Sequence, residues 1–231
     1  MNYEYIRFAT LKVFKECNIH SFPINCLEIL KHYNLSAHSY SSLSNELRNY
    51  CMSYSDDALN YKDKICYNDK QPFGRISFSL MHELGHILLH HNDNHNPKTE
   101  QEANIFASNM LAPRMAIHYA ECKNQTDVVK LFGLTNEAAQ YAFDDYRRWH
   151  RITVYQKMNS FDTAIYNHFY NENIKKFIYS IKKCVYCGED ILNSSDYICV
   201  KCSSPKHIYQ VKQETDTQLL IAENQWLYGG I

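Results

Sequence analysis

The chain has 231 residues, enough to bury a sizeable core and to form one large domain or one domain with an appendage. Its 24 Lys and Arg against 25 Asp and Glu give a net charge of −1, which excludes a global pull toward nucleic acid or anionic membrane; any such contact must be local. The start, Met1-Asn2-Tyr3-Glu4-Tyr5, has no basic and apolar leader, and no run of ~18 apolar residues occurs, so a soluble, cytoplasmic protein without membrane contact is expected. Of nine cysteines, five (Cys17, Cys26, Cys51, Cys66 and Cys122) are odd in number and scattered, as reduced, mostly buried thiols would be.

In chain order, apolar periodicity predicts helices over roughly 3–17, 24–33 and 43–52, with short strands near 35–40 and 65–67. The run Ile65, Cys66, Tyr67 is the candidate sheet edge along which an extended substrate peptide would lie.

Residues 78–91 read as a buried helix with Ser77 as its N-cap. Within it stands His82-Glu83-Leu84-Gly85-His86, an HExxH string. At about 100° per residue, Met81, Leu84 and Leu88 fall on one wall, and His82, Glu83, His86 and His90 on the other. Two imidazoles one turn apart can hold a single metal ion, with the adjacent carboxylate acting as general base on a water bound there. His90 has drifted about 80° around the axis relative to His82, so it is expected in a supporting or surface place. As a fourth ligand it would close the site and make it structural. His91 and His95 are expected in a loop.

A hydrolytic zinc site built on HExxH needs one further protein ligand and an open position. The next predicted helix, roughly 100–111, is capped by Thr99 and packs through Ala103, Phe106, Ala107, Met110 and Leu111. Glu100 and Glu102 compete for the ligand role. Glu100 lies roughly 50° from the centre of the packed side and Glu102 roughly 110° away, so Glu100 reaches an inner cleft more easily, while Glu102 suits a favourable first-turn charge. Asn104, one turn beyond Glu100, could accept the outer N–H of a ligating imidazole.

Beyond the zinc string itself, 78–90 as a whole is similar to the motif helix of the ImmA/IrrE metallopeptidases. The segment from Glu100 to Pro113, ending Asn109-Met110-Leu111-Ala112-Pro113, is similar to the same family's following helix. Upstream, Phe22-Pro23-Ile24 and Ile65-Cys66-Tyr67-Asn68 resemble its N-terminal part, so the likeness covers about residues 1–150. The resemblance implies a zincin-like domain in an intracellular bacterial protein of phages, mobile elements or stress loci. It also implies cleavage of a protein substrate, a helix-turn-helix repressor, with no small-molecule cofactor.

Further on, 126–132 and 135–149 read as helices joined at Gly133, with a shorter one at roughly 113–122. Such a pair could pass for a DNA-reading helix-turn-helix, but Glu137, Asp144 and Asp145 beside Arg147 and Arg148 favour packing instead. Residues 151–181 read as a helical linker, and 182–231 as a zinc ribbon with C-terminal β segments near 207–211 and 218–222. The ribbon rests on Cys184-x-x-Cys187 and Cys199-x-x-Cys202, two knuckles eleven residues apart that complete a closed four-sulfur shell. Lys182, Lys183, Lys201, Lys206 and Lys212 tint it basic, which a solvated face explains better than the alternative, direct nucleic-acid binding through the ribbon.

The expected architecture is therefore α+β, mainly helical: a metallopeptidase domain with a small sheet (1–150), a linker, and a ribbon. Two Zn²⁺ ions are expected. One is catalytic, on His82, His86 and Glu100 with Glu83 as base, and one is structural, on Cys184, Cys187, Cys199 and Cys202. The rival reading is a non-catalytic regulatory or DNA- and partner-binding module with two structural zinc sites.

Overall fold

A computed structural model describes residues 3–61, 64–91, 96–156 and 158–204, which form two compact units, Met1–Ser180 and Ile181–Ile231. As expected, the chain is mainly helical with small sheets. The segments 207–211 and 218–222, together with His95, Lys206 and Lys212, lie outside the described residues.

In the first unit, α1 (Tyr3–Glu16) and α2 (Cys26–His32) precede β1 (Ser36–Ser39), α3 (Asn45–Tyr54), β2 (Ala58–Tyr61) and β3 (Lys64–Tyr67). The three strands order as β1-β3-β2, with β1 parallel and β2 antiparallel to β3. This overturns the expectation of an edge at 65–67. Both neighbours cover β3, and Ile65 and Cys66 are fully buried. The edge beside β3 is β2, a strand the sequence conceals because Ala58, Leu59, Asn60 and Tyr61 lack the β-branched run that marks a strand.

The motif helix α4 spans Phe73–Leu88, longer at its start than the sequence predicts. Ser77 is not its N-cap but a buried interior residue, because Pro72 opens the helix and Gly74 packs the first turn against backbone. A Cβ at Gly74 would lie 2.5 Å from the Gly133 carbonyl oxygen. The following helix α5 (Pro97–Leu111) is capped by Asn96 rather than Thr99. The Asn96 side chain accepts the N–H groups of Lys98 and Thr99 at 2.9 and 3.1 Å. Thr99 answers as the reciprocal member of a capping box, its hydroxyl oxygen taking the Asn96 N–H at 3.0 Å.

Then come α6 (Arg114–Tyr119), α7 (Gln125–Phe132) and α8 (Asn136–Thr153). Gly133 turns α7 into α8 in the left-handed conformation at φ 67°, and Val128, Phe132, Leu134, Ala139 and Ala142 point into the core. The pair is packing, as expected. The stretch 151–181 is not a linker. It holds α9 (Ser160–Phe169) and the two-stranded β4 (Tyr170–Asn171) and β5 (Lys176–Phe177), whose Phe161, Ile165, Phe169 and Phe177 join the main hydrophobic core. Its Tyr- and Phe-rich composition is core substance, and a buried network fastens it. Arg114 donates to Asp162 at 2.7 Å and Trp149 Nε1 donates to the same carboxylate at 2.8 Å, tying α6, α8 and α9.

The second unit is built on an antiparallel pair, β6 (Ile181–Lys183) and β7 (Asp190–Leu192). Its buried core among the described residues is Cys184, Ile191, Cys199 and Cys202.

Candidate metal centres

His82 and His86 stand on successive turns of α4, and Glu100 projects from the first turn of α5. The helices approach closely because Gly85 has no side chain where α4 meets Ala103 and Phe106 of α5. A Cβ there would lie 3.1 Å from Phe106 Cδ1 and 3.3 Å from Ala103 Cα, so a larger residue would push α5 and Glu100 away. The Nε2 atoms of His82 and His86 are 3.0 Å apart. Glu100 places Oε2 at 3.3 Å from the first and Oε1 at 3.4 Å from the second. Ligands about 2.0–2.1 Å from a tetrahedral zinc ion are separated by about 3.3 Å, so this donor set fits such an ion.

Proton bookkeeping supports the fit. His82 Nδ1 is 2.9 Å from Asn104 Oδ1, which can only accept, so Nδ1 carries the proton and the Nε2 lone pair faces Glu100 and His86. A lone pair and a carboxylate drawn this close call for a cation between them. Asn104, singled out in the sequence, thus lies where it can hold one imidazole ring.

Glu83 leans toward the sheet, its Oε2 accepting the Asn60 backbone N–H at 3.1 Å. That N–H turns away from β3, so the free edge of β2 borders Glu83. Arg75 grips Asp57, just before β2, with two hydrogen bonds at 2.5 and 2.8 Å, holding the strand to the helix.

His90 is exposed just past α4 with φ 57°, and it does not join the His82, His86 and Glu100 group. Glu102 does not join it either. His91 lies in the loop after α4, as expected, yet it is buried, 8% exposed, with Nδ1 at 3.0 Å from His86 Nδ1 and Nε2 at 3.4 Å from Glu102 Oε2. Helical periodicity could not find it, since it lies beyond the helix end. The one local signal is the run of histidines itself.

The four cysteines of the second unit also converge, their sulfurs all within 4.8 Å of one another. Cys187 and Cys199 sulfurs are 3.6 Å apart, near the ~3.8 Å expected of thiolates sharing a tetrahedral zinc and far beyond the ~2.05 Å of a disulfide. Gly188, at φ 72°, turns the first knuckle so that its N–H meets the Cys184 carbonyl at 2.9 Å. The N–H groups of Cys199 and then Cys187 hold the Cys184 thiol down to about 6, as suits a metal-binding thiolate.

Two histidines one turn apart and a carboxylate from the next helix, beside a small sheet, define a metallopeptidase-like domain. Residues 30–144 match the model of the M78 peptidase family, described as an IrrE N-terminal-like domain, and over that stretch the chain is similar to the family. The family's general activity is peptidase, so its substrates are proteins or peptides. No curated protein matches the chain. Among the described residues no helix is long and apolar enough to cross a membrane.

Proposed function

We propose that the protein is a zinc-dependent endopeptidase of the cytoplasm whose substrate is a helix-turn-helix repressor of a mobile element or stress locus. The observation that carries the reading is the convergence of His82, His86 and Glu100 at 3.0–3.4 Å on the wall of α4 that also presents Glu83. Zinc held there would polarise a scissile carbonyl and acidify a water in its open position. Glu83 takes the proton of the attacking water and passes it to the leaving amine. The substrate main chain runs along the free edge of β2, where Asn60 touches Glu83, and not along the interior strand β3.

The ribbon holds a second, structural zinc on Cys184, Cys187, Cys199 and Cys202, since four thiolates leave no open position. The rival reading, two structural sites and no catalysis, needs a fourth protein ligand at the first centre. Among the described residues no further His, Cys, Asp or Glu joins that group. The test is to incubate the zinc-loaded protein with the helix-turn-helix repressor encoded beside it and to locate any cut by mass. A single cut that Glu83→Gln abolishes supports the reading, and an intact repressor together with intact generic peptides refutes it.

A further inference from the structure

We propose that His91 and Glu102 form a positioning relay behind His86, fixing its ring and tautomer so that Nε2 is the metal-binding atom; this rests on the metallopeptidase reading above. The relay begins in how α4 ends. His90 takes the left-handed conformation, the His91 N–H bonds to the His86 carbonyl at 3.0 Å, and the His90 N–H to that of Ile87 at 3.2 Å. In this termination the residue after the left-handed one folds back over the residue five before it. The His91 ring therefore lies on the His86 ring, with centroids 4.9 Å apart and planes at 76°.

The protons can be placed one by one. A neutral imidazole has one N–H and one lone pair, and a carboxylate only accepts. His91 Nε2 is buried without a hydrogen bond and faces the Glu102 carboxylate at 3.4 Å, where the negative charge favours an N–H over a lone pair, so that nitrogen carries the proton and His91 Nδ1 becomes an acceptor. The 3.0 Å contact between the two Nδ1 atoms then requires His86 Nδ1 to donate. What remains on His86 is the Nε2 lone pair, the atom 3.4 Å from Glu100 and 3.0 Å from His82 Nε2. The opposite assignment would set a lone pair of His91 against the Glu102 carboxylate in a place almost closed to water. Asn104 does the same for His82, so each ligating imidazole has its own outer partner, one an amide and the other a histidine backed by an acid. Glu102 thereby has a part to play that helix-dipole charge does not describe, although it does not itself reach the donor group.

Outer partners of this kind change metal affinity about 10–100-fold. The experiment uses the full chain with its four-cysteine site already filled with zinc, and titrates Co²⁺ into the histidine site in competition with a chelator, followed by visible absorption. His91→Ala and Glu102→Ala are expected to weaken Co²⁺ binding by about 10–100-fold, and His91→Gln, whose amide oxygen can still accept from His86, to recover most of it. Long-range proton–nitrogen spectra of the metal-free imidazoles are expected to show His86 protonated at Nδ1 in the unaltered chain and distributed over both nitrogens in Glu102→Ala, an outcome that a purely packing role would not produce. Circular dichroism checks folding. Where His91→Ala fails to fold, Glu102→Ala and the tautomer spectra decide. The relay is overturned if folded Glu102→Ala binds Co²⁺ as the unaltered chain does, or if His86 is protonated at Nε2. If His82→Ala also binds undiminished, the metallopeptidase reading falls with it, whereas loss in His82→Ala alone removes only the relay.

Discussion

Asn60 donates its backbone N–H to Glu83 Oε2 across 3.1 Å, which sets the free edge of a three-stranded sheet against the acid of the HExxH helix. Glu83→Gln keeps a side-chain oxygen to accept that bond but can no longer take a proton. Hydrolysis should fall by about 10²–10⁴-fold while metal content stays at the unaltered level. Mass-resolved cleavage together with elemental analysis checks both halves, and normal turnover would remove Glu83 from the role of base.

His82→Ala and Glu100→Ala each delete a member of the converging group, and each should lower metal at that centre outright. Asn104→Ala leaves the donors in place but frees the His82 ring, so affinity should drop by about 10–100-fold with stoichiometry retained at saturating metal. Isothermal titration distinguishes the two patterns.

Asp162, 1% exposed, answers both Arg114 and Trp149. Asp162→Ala would strand a buried guanidinium, and the expected loss is about 3–5 kcal/mol of stability. Truncating the chain before α9 should be as damaging, since it strips Phe161, Ile165 and Phe169 from the core. Denaturant unfolding measures the first, and solubility of the truncated chain the second. A truncated chain that folds normally would restore this stretch to the status of a linker.

Among its described residues the second unit buries few side chains, so its fold is expected to depend on a metal held by the four cysteines. Chelation should expose the region around Cys184–Cys202 to limited proteolysis while the first unit stays intact. Equal resistance with and without chelator would show a ribbon that stands without an ion.

Acid should destabilise the first unit through two histidines remote from the metal group. Burial, and then His150, holds the imidazolium of His118 below its ordinary value, and burial does the same for His168. Both favour the neutral form in the folded state, so their contribution is complete above the ordinary value near ~6.5 and is lost as pH falls through the lowered folded values. The melting temperature should decline from pH 7 to pH 5, and His118→Gln should flatten that decline. A profile unchanged by the substitution would assign the acid sensitivity to other groups.

Much of the candidate site is legible in short stretches of sequence. HExxH on a periodic apolar helix, Glu100 nearer the packed side than Glu102, Asn104 one turn further and the paired CxxC knuckles are all local patterns, and local patterns follow from the 3.6-residue repeat and from turn chemistry. Folding in three dimensions decided the rest. Which strand is the edge depends on β1 joining β3 from the far side, a pairing no window of sequence contains. Likewise Ser77 is interior because Gly74 meets the backbone of Gly133, and 160–180 is core because Asp162 finds Arg114 across 48 residues. His91 reaches His86 only because the chain takes a left-handed step at a residue that is not glycine, and Glu102 reaches His91 only because Gly85 lets two helices touch. Periodicity orders neighbours along one element; contacts between elements arise from close packing, which depends on the shape of surfaces far apart in the chain.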